Sequence, residues 1–159
     1  MADDTRRLAR RSVLVSIGAV ALAPVTGRVV AAEPLVTVHK DPNCGCCSGW
    51  VQHLREAGFA VAVDDASDLD AVRRRFGIPP ELSACHTAET DGYLLEGRVP
   101  AVAVRRLLAE RPKARGLAVP GMPSGSPGMN GEPQPYTVML FEANGHRPFM
   151  RFVGDKPVA

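Results

Sequence analysis

Four cysteines carry the chemistry open to this chain: Cys44, Cys46, Cys47 and Cys85. Three of them stand in the run Cys44-Gly45-Cys46-Cys47. Thiolate sulfur is a soft ligand, and copper(I) prefers thiolate and thioether to oxygen donors. Sulfurs this close in sequence can share one ion or bridge a multinuclear cluster, with Cys85 closing the site from a separate segment. Zinc also takes thiolates, so the ligand set alone does not choose the metal. The rival chemistry is thiol–disulfide exchange. Cys44 and Cys47 stand in C-x-x-C spacing, the arrangement exchange enzymes use. Cys46 inside that pair permits scrambling, which counts against exchange without removing it. A purely structural disulfide framework fits poorly, because such frameworks tie distant segments together and adjacent Cys46-Cys47 pair only under strain.

Further donors surround this cluster in the sequence. His86 directly follows Cys85 and is a candidate ligand or a support for one. His39 is a further candidate, just before the cluster. Met122 and Met129 lie in a stretch too polar to be core and offer thioethers as ligands or shields. His53 and His146 read as structural or solvated, Trp50 as core, and Arg73-Arg74-Arg75 as the solvated face of a helix.

The elements that must position these residues follow from pattern. Leu35 to His39 is β-branched and apolar, a first strand stopped by the turn cluster Asp41-Pro42-Asn43. A helix is expected from about Ser48, with Trp50, Val51, Leu54 and Ala57 at helical spacing and Gly58 ending it. Phe59 to Val63 is apolar throughout, as a buried parallel strand is. Ser67 is expected to cap a second helix, with Leu69, Val72 and Phe76 inward and Gly77 closing it. This makes a strand–helix–strand unit with a right-handed crossover. The cysteines then sit where the first strand hands over to the helix, and backbone N–H groups at a helix start favour thiolate. Beyond it, Leu82 to Ala88 and Tyr93 to Leu95 suit a hairpin around Asp91-Gly92. Pro100 fits the first position of a third helix. Residues 116–135 are rich in Gly and Pro and read as loop. Tyr136 to Phe141 and Pro148 to Val153 form a last hairpin through Asn144-Gly145.

Residues 1–32 read as an export signal, expected to be removed. Arg6, Arg7, Arg10 and Arg11 precede an uncharged apolar run, Ser12 to Ala23, and Val30-Ala31-Ala32 offers a cleavage site. Arg10-Arg11 before that run suggests the twin-arginine route. The run is shorter than the roughly 20 residues a membrane span needs. The leader takes five of the 19 Lys+Arg and two of the 17 Asp+Glu, leaving 14 against 15 and a net charge of −1. That balance gives no footing for nucleic acid or an anionic membrane. Residues 33–159 are one domain's worth of chain, large enough to fold around its own core.

Several motifs in order then carry a resemblance. They are His39-Lys40-Asp41-Pro42-Asn43-Cys44-Gly45-Cys46-Cys47, Ser83-Ala84-Cys85-His86-Thr87-Ala88, Gly92-Tyr93, Glu96-Gly97-Arg98-Val99-Pro100-Ala101 and Gly116-Leu117-Ala118-Val119-Pro120-Gly121-Met122-Pro123. Together they resemble the CopG-like periplasmic copper-resistance proteins, over nearly all of residues 33–159. The resemblance implies a thioredoxin-like α/β fold, with a central mixed sheet, flanking helices and the cysteine cluster at the first strand–helix turn. It implies copper ligation by Cys44, Cys46, Cys47 and, by motif match, Cys85. It further implies a periplasmic role in copper handling, with copper ions and other copper-handling proteins as partners. One departure is Arg98, where the family pattern often has His. A thioredoxin-like fold also sets a cis-proline against its cysteines, and Val119-Pro120 is the expected bond, bringing Met122 toward the thiols. Four thiols at a helix start suit copper redox conversion or transfer better than storage, which gains from many thiols.

Overall fold

A computed structural model describes residues 34–159; the expected export segment, residues 1–32, lies outside the described residues. β1 (Val36–Lys40) has parallel β2 (Val61–Asp65) on one side and antiparallel β3 (His86–Thr90) on the other. α1 (Gly45–Glu56) joins β1 to β2, which is the expected strand–helix–strand unit. β2 is not the buried strand its sequence suggested. It forms the edge of the sheet, and Val63 is 40% exposed, because an edge strand has one neighbour and an incompletely covered face. Phe59 is buried ahead of the strand, while Asp64 and Asp65 reach back to His39 and Lys40.

The hairpin of β3 and β4 (Tyr93–Glu96) turns at Asp91 and Gly92, both at positive φ, as the Asp-Gly signal requires. α3 (Ala101–Glu110) then crosses to β5 (Gly116–Ala118), which lies parallel to β4. Pro100 is the N-cap of α3 rather than its first residue. β6 (Pro135–Glu142), β7 (Gly145–Val153) and β8 (Lys156–Val158) add successive antiparallel strands. The described residues form one eight-stranded sheet in the order β2-β1-β3-β4-β5-β6-β7-β8.

Alternation along the central strands assigns the two faces. Leu95, Leu117 and Leu140 join a cluster with Trp50, Val51 and Leu54 of α1 and Ala103, Val104 and Leu107 of α3. Their neighbours Leu94, Ala118 and Phe141 pack instead with Ile78, Leu82 and Phe76. Successive strand residues point to opposite faces, so α1 and α3 cover one side. α2 (Leu69–Phe76) and the 3-10 turn Pro80–Leu82 cover the other. Asp68, not Ser67, caps α2, its carboxylate accepting from the Ala71 N–H at 2.8 Å. Gly77 closes it in the left-handed region at φ 59°. The fold is thus the expected mixed sheet with flanking helices.

Candidate metal centre

The chain leaves β1 through an Asx-type turn. The Asp41 side chain accepts from the Asn43 N–H at 2.7 Å, and its carbonyl accepts from the Cys44 N–H at 3.1 Å. Cys44 is the N-cap of α1, extended at φ −76° and ψ 90°, and its sulfur caps no backbone amide. α1 begins at Gly45, three residues before the expected Ser48, so Cys46 and Cys47 lie within its first turn. That turn is the positive end of the helix dipole and has no acidic side chain. Cys47 is buried, and Cys44 and Cys46 are half-buried. Cys85 arrives from a distant part of the sequence. β3 pairs with β1 so that His86 lies opposite Lys40, which sets Cys85 beside the turn that follows β1.

The four cysteine sulfurs all lie within 4.8 Å of one another. Cys44 and Cys47 are joined as a disulfide, with Cα atoms 5.3 Å apart, and Cys46 and Cys85 are free thiols. The Cys46 sulfur is 3.7 Å from that of Cys44. The site is therefore in an oxidised form, and reduction of the Cys44–Cys47 bond would free two further sulfurs able to hold a metal. No bond distant in space is needed for this, because the donors are already gathered.

A buried carboxylate holds the Cys85 segment in place. Glu96 accepts from the Ala84 N–H at 2.7 Å, the Thr87 hydroxyl at 2.6 Å and Arg73 Nε at 3.2 Å. Burial pushes its carboxyl up, against the opposing pull of Thr87, Ala84 and Arg73. Arg73 also donates to the Ala84 carbonyl. This corrects the reading of Arg73 as solvated; Arg74 and Arg75 are exposed, as expected of that face. Gly97 lets the three segments converge. A Cβ there would stand 2.6 Å from the Val119 carbonyl oxygen and 2.7 Å from the Ala84 Cβ, at φ +70°.

Beneath the sulfurs lies a buried layer of Trp50, His86 and Arg98. Trp50 Nε1 donates to the Val99 carbonyl at 2.9 Å, and its ring lies 4.4 Å from that of His86. His86 is fully buried, with Nδ1 3.3 Å from the Cys85 sulfur and Nε2 without a hydrogen-bond partner. Burial pushes its imidazole down to about 3, and the Arg98 charge adds to this, so the ring is neutral. The Cys85 thiol is pushed up by burial, with Arg98 pulling the other way. Arg98 Nη1 donates to the carbonyls of Cys46 at 2.9 Å and Pro127 at 3.3 Å. The loop carrying Pro127 is pressed onto α1. A Cβ on Gly128, at φ +80°, would meet the Trp50 nitrogen at 2.4 Å and the Cys46 carbonyl oxygen at 2.8 Å.

The remaining expected donors fall in different places. His39 is buried, with Nδ1 2.8 Å from Asp64 and Nε2 3.3 Å from Glu89, so both ring nitrogens face carboxylates. Met122 is 60% exposed. No described peptide bond is cis, so Val119-Pro120 is trans, contrary to expectation, and no cis turn carries Met122 inward. Here Val119 keeps its N–H on the Glu96 carbonyl at 2.9 Å and simply extends β5. Met129 is half-buried, next to Gly128 in the loop clamped on α1. His53 accepts from the Ala101 N–H at 3.0 Å and so ties α1 to the start of α3. Sequence reasoning noted Arg98 only as a departure from the family pattern and missed its burial, the role of Glu96 and the Pro127-Gly128 clamp. Their one sequence signal is a Glu-Gly-Arg triplet set in the apolar run from Tyr93 to Val104, where charges are out of place unless buried for a reason.

Fold and site together define a mixed α/β protein carrying a four-cysteine cluster able to hold a metal. The family described as "Protein of unknown function, DUF411" matches residues 82–129. No curated protein sequence matches the chain. Two solved structures are similar to it, both of a copper resistance protein CopG. Form 1 is 39% identical, covers 77% of this chain and 99% of its own, and superposes with a TM-score of 0.72. Form 2 is 39% identical, covers 76% and 98% respectively, and has the same TM-score of 0.72. The chain belongs to the CopG family of copper resistance proteins.

Proposed function

We propose that this chain is an exported, periplasmic copper-handling protein that binds copper(I) through Cys44, Cys46, Cys47 and Cys85. The observation that carries the reading is the gathering of all four sulfurs within 4.8 Å of one another. A soft, all-sulfur donor set suits copper(I), and the similarity to copper resistance proteins supports that metal over zinc. The leader over residues 1–32 supports export, and the parallel strand–helix–strand start with its C-x-x-C turn supports a thioredoxin-like assignment. Among the described residues no helix is long and apolar enough to cross a membrane. His86 supports Cys85 from below, and of the two thioether candidates Met129 is half-buried beside Gly128 in the clamped loop whereas Met122 is exposed. Other periplasmic copper-handling proteins are the expected partners for transfer.

The same four sulfurs support a redox role. Two reduced thiols, Cys44 and Cys47, can give one electron each to two copper(II) ions. They release two protons and close the disulfide, leaving two copper(I) ions. Oxidation also withdraws two of four thiolate ligands, so it couples reduction of copper to its release. A dithiol donor must then reopen the Cys44–Cys47 bond. The Cys44–Cys47 disulfide equally favours a second reading, a thiol–disulfide oxidoreductase that works without metal. Comparing metal-free and copper-loaded protein separates them. The copper reading expects copper(II) reduction and weak exchange of a model disulfide. Strong metal-free exchange with no copper chemistry would establish the second reading instead.

A further inference from the structure

Arg98 follows Gly97 at the end of β4, and its side chain is fully buried. A guanidinium keeps its charge in a protein, and a buried charge must meet an anion or stay desolvated and uncompensated. Among the described residues the arginines that reach carboxylates include Arg73, Arg74, Arg106 and Arg111, and no carboxylate oxygen pairs with Arg98. Glu96, its neighbour two positions back, is turned to Arg73. Arg98 spends Nη1 on the two carbonyls of Cys46 and Pro127, which are dipoles and not counter-ions. Its Nε has no hydrogen-bond partner. Only its Nη2 meets a group that can carry negative charge, the Cys85 sulfur at 3.5 Å.

The buried cation therefore has one available anion, the sulfur cluster. A centre of thiolates that holds fewer copper(I) ions than sulfurs is itself an anion, and each monovalent ion leaves more of that negative charge in place than a divalent ion does. From this we infer that Arg98 is a positioning and charge-selecting residue of the sulfur site. Its fixed positive charge balances a copper(I)–thiolate centre and disfavours divalent ions in the same sulfurs, while its Nη1 fork holds the α1 first turn and the Pro127 loop in register. The inference rests on the copper(I) reading above and goes beyond it by naming what sets the preference for a monovalent ion. Coulomb repulsion by a fixed cation scales with ion charge, so zinc(II) or another dication is repelled twice as strongly as copper(I) at the same position.

The test compares metals within one set of sulfurs. Copper(I) and zinc(II) affinities are measured on the reduced protein under anaerobic conditions, by competition with chelators of known strength, for wild type, Arg98→Gln and Arg98→Lys. Arg98→Gln is expected to lower the ratio of copper(I) to zinc(II) affinity on the order of tenfold, equivalent to about 1.4 kcal/mol. Arg98→Lys keeps the charge but loses the planar fork, so it should melt at lower temperature and hold the ratio within about threefold of wild type. A purely structural role moves both affinities together and leaves the ratio alone. An unchanged ratio in Arg98→Gln overturns the inference, and if that variant does not fold, a ratio that falls on the order of tenfold in Arg98→Lys overturns it as well. Wild type that fails to bind copper(I) at all refutes the copper reading itself, a different outcome from wild type that binds copper(I) with no dependence on Arg98.

Discussion

Acid reaches the site through His86. Its imidazole is fully buried against Trp50 and Cys85, and its pKa is pushed from 6.5 down to about 3 by burial and by Arg98. In the unfolded chain the same ring titrates near its ordinary value, so below that value the unfolded state binds a proton that the folded state refuses. Stability from this group is present above about pH 6.5 and is lost progressively as pH falls toward about 3. With those two values, linkage gives a loss of about 2 kcal/mol at pH 5 and about 3 kcal/mol at pH 4, relative to pH 7. That is a sizeable part of the roughly 5–15 kcal/mol that holds a domain together. The assay is urea unfolding of metal-free protein at the three pH values, for wild type and His86→Leu. Leu keeps an apolar filling against Trp50 and removes the titrating group. The variant starts from a lower stability at pH 7, and its fall between pH 7 and pH 4 should be smaller than that of wild type by about 3 kcal/mol, or about 1–3 M in urea midpoint. Parallel pH profiles for the two proteins would refute the argument, because the acid sensitivity would then come from other groups.

Three further outcomes follow from the packing around the sulfurs. Gly128→Ala drives a Cβ against the Trp50 nitrogen at 2.4 Å and forces an alanine to φ +80°, so it should cost about 2–5 kcal/mol in chemical denaturation. Stability within about 0.5 kcal/mol of wild type would show that the loop is not clamped on α1. Glu96→Ala strips the Ala84 N–H, the Thr87 hydroxyl and Arg73 of their shared acceptor, and should cost about 3–5 kcal/mol, with faster amide exchange at Ala84. Trp50→Phe leaves the Val99 carbonyl without its indole donor and should cost about 1–3 kcal/mol while copper stoichiometry, measured by metal analysis, stays the same.

The first strand–helix–strand unit was legible because its signals are local. An apolar β-branched run stops at Asp41-Pro42-Asn43, helical spacing runs from Trp50 to Leu54, and Gly77 sits where the chain needs a left-handed residue. The two hairpins at Asp91-Gly92 and Asn144-Gly145 were legible for the same reason. β5 was not, since three residues between Pro112 and Pro120 carry too little periodicity to separate from loop. β2 misled because an apolar composition does not report whether a strand has one neighbour or two. At the site, the cysteine cluster was visible as spacing, whereas the approach of Cys85 depends on β1–β3 pairing across a long stretch of sequence. The trans bond at Pro120 shows that an expectation drawn from fold resemblance does not carry to each turn. Arg98 stood out in the sequence only as a departure from the family pattern, and its burial was hidden for a physical reason. Sequence patterning sends a lone arginine to solvent, and only the packed structure shows a buried cation with sulfur as its available anion.

Anaerobic copper(I) titration of the reduced protein, with metal analysis of what stays bound against a competing chelator, tests the four-sulfur site most directly. The account predicts tight binding through Cys44, Cys46, Cys47 and Cys85, and a lower copper content in Cys46→Ser, whose fold should be unchanged by circular dichroism. Copper content in Cys46→Ser equal to wild type, or no copper retained by the reduced wild type, would contradict it.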